Sequence, residues 1–333
     1  MTDLHQAFPG LIWAFHFAPD GNSVSSLDGE ASLPENLPTD GCVWLHLAVP
    51  DGRIEAQIAR LPGLDGRIAA AVVSRDRHLI LSVMGGVLTG TMPGFLNDLT
   101  DEIREVGHFH FALTDRLLVT ARRLPLQTMS AIRTEVASGR WFAQTIDLFA
   151  AVSASFERDL EEHLDRLTDE MDGIEEEIHE QRRGDQHGQL GSLRREIARI
   201  HRTLRTSARL FHRMDSRPEP TLPAPARAML EQRGHHMAAL DQDVILLQER
   251  ARLLTDEIST RRQDQINQNL FILSLFTVVL MPPTLITGFF GMNTKDMFLQ
   301  DVPGGTVYAA ILVIASAALA GWLTLRHFGA RRS

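Results

Sequence analysis

Residues Leu270 to Phe290 read LFILSLFTVVLMPPTLITGFF and include no charged side chain. As a helix, this stretch is about 31 Å long, which matches the hydrocarbon core of a bilayer. A second uncharged stretch runs from Val307 to Leu325, with Tyr308 and Trp322 near its ends, where interfacial aromatic residues are common. The sequence therefore predicts two membrane spans. Two buried core helices are the alternative, but the length and the lack of charge favour spans.

Arginines flank the pair of spans on one side only. Two precede the first span and three follow the second, namely Arg261, Arg262, Arg326, Arg331 and Arg332. The loop of residues 294–306 carries one lysine against two aspartates. Basic residues concentrate on the cytoplasmic side of a membrane, so we expect both termini in the cytoplasm and the hairpin in the inner (plasma) membrane.

The rest of the chain has a soluble composition. Of the 333 residues in the whole chain, 44% are hydrophobic, and Cys42 is the single cysteine. One cysteine allows no intramolecular disulfide and fits a reducing compartment. A formal net charge of -9 argues against a nucleic-acid partner and favours cations. The sequence contains no recognisable catalytic constellation, so we expect neither an enzyme nor a prosthetic group.

The N-terminal part mixes strand-like and helix-like patterns, which predicts an α/β domain. Strand-like runs cover Leu11 to Phe17, Cys42 to Val49, His78 to Leu88 and Val106 to Thr120, and helix-like runs cover Ile54 to Leu61 and Leu126 to Val136. From Trp141 onward the apolar spacing becomes helical. It predicts three long helices, of which the third runs without interruption into the first span. Such a helix needs neighbours from its own chain or from identical subunits.

The tripeptide Gly291-Met292-Asn293 stands where the first span ends. Gly291 could let the backbone turn, and the Asn293 carbonyl oxygen could be multiplied by a ring of subunits around a hydrated cation. A plain helix C-terminus with Asn293 as a cap is the alternative.

One face of the first span alternates apolar and oxygen-bearing positions. The residues at helical spacing before Asn293 on this face are Gly288, Thr284, Met281, Thr277, Leu273 and Leu270. Hydroxyl and backbone oxygens suit a cation, and apolar rings can gate a pore by excluding water. A small-residue packing face is the alternative. Pro282 and Pro283 would loosen the helix beside Met281.

The segment Phe276 to Asn293, FTVVLMPPTLITGFFGMN, resembles the CorA superfamily of divalent metal-ion transporters, as does the order of domain, stalk and hairpin. The segments VWLHL (43–47) and VTARRLPL (119–126) resemble its zinc-transporting ZntB branch. The resemblance implies an α+β membrane protein that assembles as a homopentameric funnel, with Gly291, Met292 and Asn293 as the outer selectivity filter. The chain departs from some magnesium-type members at Thr294-Lys295 and at Pro283.

We therefore expect six segments: a cytoplasmic α/β domain (1–140), long helices and stalk (141–269), a first transmembrane helix (270–290), an outer loop (291–306), a second transmembrane helix (307–325) and a cytoplasmic tail (326–333). The expected cargo is Zn²⁺. Mg²⁺, Co²⁺ and Ni²⁺ remain alternatives, because Asn293 alone discriminates poorly between divalent ions. A CorA-like Mg²⁺/Co²⁺ channel and a membrane-anchored helical scaffold remain the competing functions.

Further residues are candidates for binding metal. His108 and His110 share one face of a predicted strand and could ligate zinc, as could His235 and His236, although such pairs also fit ordinary surface residues. Asp296 in the outer loop is another candidate ligand. Ten acidic residues between Glu161 and Glu180 could collect cations or form a solvated helix face.

Overall fold

A computed structural model of the chain describes residues 8, 10–21, 23–27, 37–49, 53–97, 105–180, 184–216, 222–292, 298–299 and 303–329. The structure divides into two compact units, Met1–Arg252 and Leu253–Ser333. The first unit contains a sheet and several helices, and the second contains apolar helical segments.

Seven strands, numbered β1 to β7 in chain order, are Leu11–Phe17, Val24–Ser26, Cys42–Ala48, Ile80–Met84, Val87–Phe95, Val106–Leu113 and Leu117–Arg122. They form one sheet in the order β2-β1-β3-β7-β6-β5-β4. The central strands β3 and β7 are parallel, and every other neighbouring pair is antiparallel. Strand β3 is almost wholly buried, as expected for a strand covered on both faces.

Two of the predicted strand-like runs each overlap two strands, and β5 and β7 extend beyond these runs to Phe95 and Arg122. The run from His78 to Leu88 divides at Gly85 and Gly86, whose φ angles are 58° and 83°. Two successive residues in the left-handed region form the turn that suits a two-residue hairpin. The run from Val106 to Thr120 divides at Thr114, where the Leu117 amide donates to Thr114 Oγ1 at 2.9 Å. Treating each run as one strand was therefore wrong.

Helices cover both faces of the sheet. Helix α1 (Arg53–Ile58) and helix α2 (Gly66–Val72) pack on one face through a cluster that includes Ile58, Ile68 and Leu45. Helix α3 (Gln127–Ala137) and helix α4 (Thr145–His179) cover the other face. The rings of Phe111 and Phe149 lie 4.4 Å apart there. Helix α2 and the three-residue strand β2 were not predicted from the sequence.

The segments that resemble the ZntB branch lie side by side, because VWLHL belongs to β3 and VTARRLPL begins in β7. Thr120 is paired with His46 in this parallel register. Trp44 Nε1 donates to Thr120 Oγ1 at 2.9 Å, and His46 Nδ1 lies 2.8 Å from the same oxygen. The ring of His46 also stacks on Trp13, with centroids 4.0 Å apart. These contacts form a buried polar group inside the sheet.

Three long helices follow the sheet, and close contacts between histidine and carboxylate side chains join them to each other. Besides α4 they are α5 (Gln186–Ser216) and α6 (Ala224–Phe290). Helix α4 begins at Thr145 rather than at the predicted Trp141. His163 on α4 lies 2.9 Å from Glu196 on α5, and His201 on α5 lies 3.4 Å from Asp241 on α6. The prediction that the third helix continues without a break into the first span is confirmed.

The second unit holds the apolar end of α6 and helix α7 (Gly305–Gly329). Both helices are long and apolar enough to cross a membrane. Arg326 Cζ lies 5.1 Å from the ring centroid of Trp322, a cation–π contact near the end of α7. Large apolar side chains are exposed along both helices, which requires a lipid or protein environment rather than water.

Candidate metal-ion pathway

All six residues of the predicted pathway face outward from α6. The exposed fractions of Leu270, Leu273 and Met281 are 55%, 64% and 70%. Exposure of leucine and methionine on one stripe is costly in water, at about 25 cal/mol for each square ångström of apolar surface. These apolar side chains therefore need lipid or protein partners, which the described part of a single chain does not supply.

The two threonines on this face present their oxygens as acceptors. Thr277 Oγ1 donates to the Leu273 carbonyl at 2.9 Å, and Thr284 Oγ1 donates to the Leu280 carbonyl at 2.7 Å. Because each hydroxyl has only one proton, these bonds leave oxygen lone pairs for another donor. A water molecule held by a cation is such a donor, so both positions suit a hydrated metal ion.

A groove of about 870 Å³ follows the same face of α6. It is lined by four residues of the predicted pathway, namely Thr277, Met281, Thr284 and Gly288, and by Met292 of the tripeptide. Its other lining residues are apolar, including Leu285 and Phe289. The structure thus brings together most of the predicted pathway, whereas Leu270 and Leu273 lie on the same helix outside the groove.

Two prolines lie inside α6 beside this groove, and the helix passes through both of them. Neither Pro282 nor Pro283 has an amide proton to give to the carbonyl four residues earlier. Thr287 Oγ1 lies 3.0 Å from both the Pro283 and the Thr284 carbonyl oxygens, where its hydroxyl can donate. These oxygens lie one turn beyond the Val278 and Val279 carbonyls that lose their amide donors, so Thr287 does not replace the missing bonds.

The described part of the predicted filter tripeptide continues the helical turn. The Gly291 amide donates to the Thr287 carbonyl at 2.9 Å, and the Met292 amide donates to the Phe289 carbonyl at 3.3 Å. Gly291 is not among the described glycines with a positive φ, so its turn does not use the left-handed region. The candidate residues Asn293 and Asp296 lie outside the described residues.

His108 and His110 lie together on β6, with their ring centroids 5.6 Å apart. His110 is buried, and its Nδ1 lies 2.9 Å from Thr91 Oγ1. Burial, with help from His108 and Arg123, lowers the pKa of His110 to about 4. No cluster of three or more potential metal ligands occurs among the residues that the structure describes. A zinc site uses at least three protein ligands, so this pair by itself does not form one.

His236 has a partner that the sequence did not reveal. Its Nε2 lies 3.1 Å from Glu161 Oε1 and 3.6 Å from Glu157 Oε2, whereas His235 is exposed. Burial raises the pKa of Glu157 to about 7, although Arg233 opposes this shift. The available signal was the spacing of Glu157 with Ser153 and Leu160, which places it on the buried face of α4.

Known structures share this arrangement over nearly the whole chain. The full-length CmaX protein is 19% identical, with a TM-score of 0.76 over 95% of this chain and 97% of that chain. The complete CorA magnesium transporter from Methanocaldococcus jannaschii is 14% identical, with a TM-score of 0.78 over 94% and 97% of the two chains. These likenesses confirm the predicted fold of an α/β domain, long helices and a C-terminal pair of apolar helices.

Sequence relatives agree with the structural likeness. The zinc transport protein ZntB from Yersinia enterocolitica is 23% identical over 325 residues, which cover 93% of this chain and 94% of that protein. Residues 39–326, more than four fifths of the chain, match the family described as CorA-like Mg²⁺ transporter protein. This is a family of ion transporters and not of enzymes. The chain therefore belongs to the CorA family of divalent metal-ion transporters.

Proposed function

We propose that this chain carries Zn²⁺ through a homopentameric pore whose wall is the outward face of α6. The observation that carries the proposal is the alternation of acceptor oxygens and apolar side chains on that face, which one chain leaves exposed. A ring of identical subunits would cover the apolar positions and multiply the oxygens around an axis.

The pathway has two kinds of ring in this proposal. Thr277 and Thr284 are seven residues apart, so their hydroxyl rings would be about 10 Å apart along the helix. Their oxygens would accept hydrogen bonds from the water shell of a passing ion. Leu270, Leu273 and Met281 would form apolar constrictions that close the pathway when water withdraws.

The outer filter is Gly291, Met292 and Asn293. Five Asn293 carbonyl oxygens would hold a hydrated cation through its water, without removing that water. Met292, which immediately precedes Asn293 in the sequence, is exposed and lines the groove. Asp296 would then lie near the outer mouth, where its charge partly offsets Lys295.

Zinc is favoured over magnesium for two reasons. The similarity to the ZntB protein extends along nearly the full length of both chains. Met281 also offers a thioether on the pathway, a soft group that magnesium does not use. The family's own description names Mg²⁺, so a CorA-like Mg²⁺ or Co²⁺ channel is the second candidate.

The proposed location is the inner membrane, with both termini in the cytoplasm. Residues 1–140 and the long helices to residue 269 would form the cytoplasmic funnel, and residues 270–290 and 307–325 would cross the bilayer. Residues 291–306 would form the outer loop and 326–333 the cytoplasmic tail. The arginines at 261, 262 and 326 support this orientation.

Uptake of radioactive zinc into proteoliposomes, with and without excess magnesium, tests the ion. We expect zinc entry that a modest excess of magnesium reduces only slightly. Complete suppression by magnesium would favour the second candidate, and the absence of any metal flux would leave only a membrane-anchored scaffold. Native mass spectrometry of the same protein in detergent tests the pentamer, since a dominant monomer or dimer excludes a ring of Asn293 side chains.

A further inference from the structure

Helix α5 carries a row of exposed arginines that we call the basic row. Its members are Arg195, Arg199, Arg202, Arg209 and Arg213, all exposed. They recur at intervals of three, four or seven residues and so lie on one side of the helix. The opposite side is buried through Leu193, Ile197 and Leu204. The basic row therefore lies on the exposed side of α5, and only Arg209 among its members also lines a groove that α5 shares with α6.

The basic row has no acidic partner in the part of the chain described here. Glu196 and His201 of α5, which are not members of the row, lie within 4.0 Å of His163 and Asp241. Like charges spaced by three or four residues on one helix face destabilise that helix. A row of five such arginines is therefore best explained by an anionic surface that lies outside the chain.

Helix α4 offers a surface of opposite charge, which we call the acidic row. It consists of Glu162, Asp165, Asp169 and Glu176, all exposed and without an ion pair within 4.0 Å among the described residues. They also lie on one side of their helix, opposite buried residues such as Leu160, Leu167 and Ile174. Asp172 shares that side but is already paired with Arg250.

The two rows match in length as well as in sign. At about 1.5 Å per residue, the basic row spans about 27 Å and the acidic row about 21 Å. Both belong to the same unit, yet each faces away from the core that their helices share. One chain thus carries two different complementary surfaces, which is what a ring built from head-to-tail contacts requires.

We propose that the basic row of α5 in one subunit docks against the acidic row of α4 in the neighbouring subunit. This inference rests on the proposed pentamer and names a contact that orders its cytoplasmic part. Opposed charges would set the register of neighbouring subunits and speed their encounter. An anionic membrane surface would match the basic row but would leave the acidic row without a partner, so a second copy of the chain fits better.

Disulfide trapping in the full-length protein tests the contact directly. Asp169 and Arg202 lie near the middle of their rows, so they should meet whether the two helices run parallel or antiparallel. Oxidation of the double variant Asp169→Cys/Arg202→Cys in membranes should produce a ladder of covalent oligomers on a non-reducing gel. The single variants should give no ladder of this kind, and Ser138→Cys/Arg202→Cys controls for random collisions because Ser138 is exposed on the turn after α3.

Charge reversal gives a second measurement that separates the alternatives. Arg199→Glu/Arg202→Glu should lower the pentamer fraction at low ionic strength, where exposed charges are least screened, by about twofold or more, and adding Asp165→Arg/Asp169→Arg should restore it. Lipid binding by α5 would give a loss without restoration and would overturn the inference. A wild-type pentamer with no disulfide ladder, or a disulfide within one subunit, would also overturn it while leaving the pore intact. A monomeric wild type would instead refute the proposed function.

Discussion

Arg233 Nη1 lies 2.5 Å from Glu157 Oε2, and this ion pair joins α6 to α4 where water is nearly excluded. The Glu157 side chain is 2% exposed, and its second oxygen has no hydrogen-bond partner. Burial favours the neutral carboxyl, which is why the pKa of Glu157 rises to about 7 despite its arginine partner. The contact between the two helices is therefore sensitive to pH.

The sign of this dependence follows from the two protonation states. Unfolded Glu157 releases its proton near its ordinary pKa of 4.5, whereas the folded chain keeps it up to about pH 7. The stabilisation that arises from the raised pKa is complete below pH 4.5. It is lost as the pH rises through 7, which lowers the free energy of unfolding by at most about 3 kcal/mol. As the pH is raised from 5 to 8, the melting temperature of Glu157→Gln should therefore fall less than that of the wild type. Equal pH slopes for the two proteins would contradict the assignment.

Thr120→Val should destabilise the first unit, Met1–Arg252. The substitution removes the hydroxyl that contacts both Trp44 Nε1 and His46 Nδ1 in a fully buried place. Each unsatisfied buried group costs about 1–3 kcal/mol. Thr120→Ser keeps the hydroxyl and loses one methyl group, so we expect a loss near 1 kcal/mol. Thermal melting of both variants measures the difference, and equal losses would show that packing rather than hydrogen bonding dominates.

Asn293→Ala should lower selective zinc uptake by about tenfold or more while folding is preserved, because its side chain is proposed to face ions rather than a packed core. Flux and thermal melting must be measured on the same preparation. Thr294→Ala is the matched neighbour and should keep most of the flux. A collapsed melting curve for Asn293→Ala would instead make Asn293 a structural cap.

Met281→Leu should reduce the preference for zinc over magnesium by a few-fold and leave total divalent flux nearly unchanged. Leucine keeps the apolar character and approximate size of the side chain but removes the thioether sulfur. Uptake of both ions is measured in the same proteoliposomes, with Leu285→Met as a second groove variant. An unchanged ratio in Met281→Leu would remove the sulfur from the account of selectivity.

Cys42 should resist thiol reagents in the folded protein at pH 7.5. Its side chain is buried, and burial together with Asp147 raises its pKa to about 11. The thiolate, which is the reactive form, is therefore scarce and covered. Maleimide labelling followed by mass spectrometry should detect modification only after denaturation. Rapid labelling of the native protein would mean that the start of strand β3 around Cys42 opens.

The two apolar helices, the other long helices and the residues that share one face of α6 could be predicted from the sequence because each depends on local properties. An uncharged stretch as long as a bilayer is thick predicts a helix that could cross a membrane wherever it occurs. Helical spacing likewise places Thr277, Met281 and Thr284 on one face before any neighbour is known. The division of the strand-like runs was missed, because apolar periodicity does not reveal a tight turn such as Gly85-Gly86 by itself.

Pairing between distant residues was decided only by the tertiary structure. Thr120 meets Trp44 because β3 and β7 lie parallel in one register, and no local pattern specifies which strands become neighbours. Glu157 meets Arg233 because α4 packs against α6, which turns an ordinary carboxylate into one that holds its proton near neutral pH. Local periodicity therefore determined which residues share a face of each helix. Packing determined which side chains are buried and in which direction their pKa values shift.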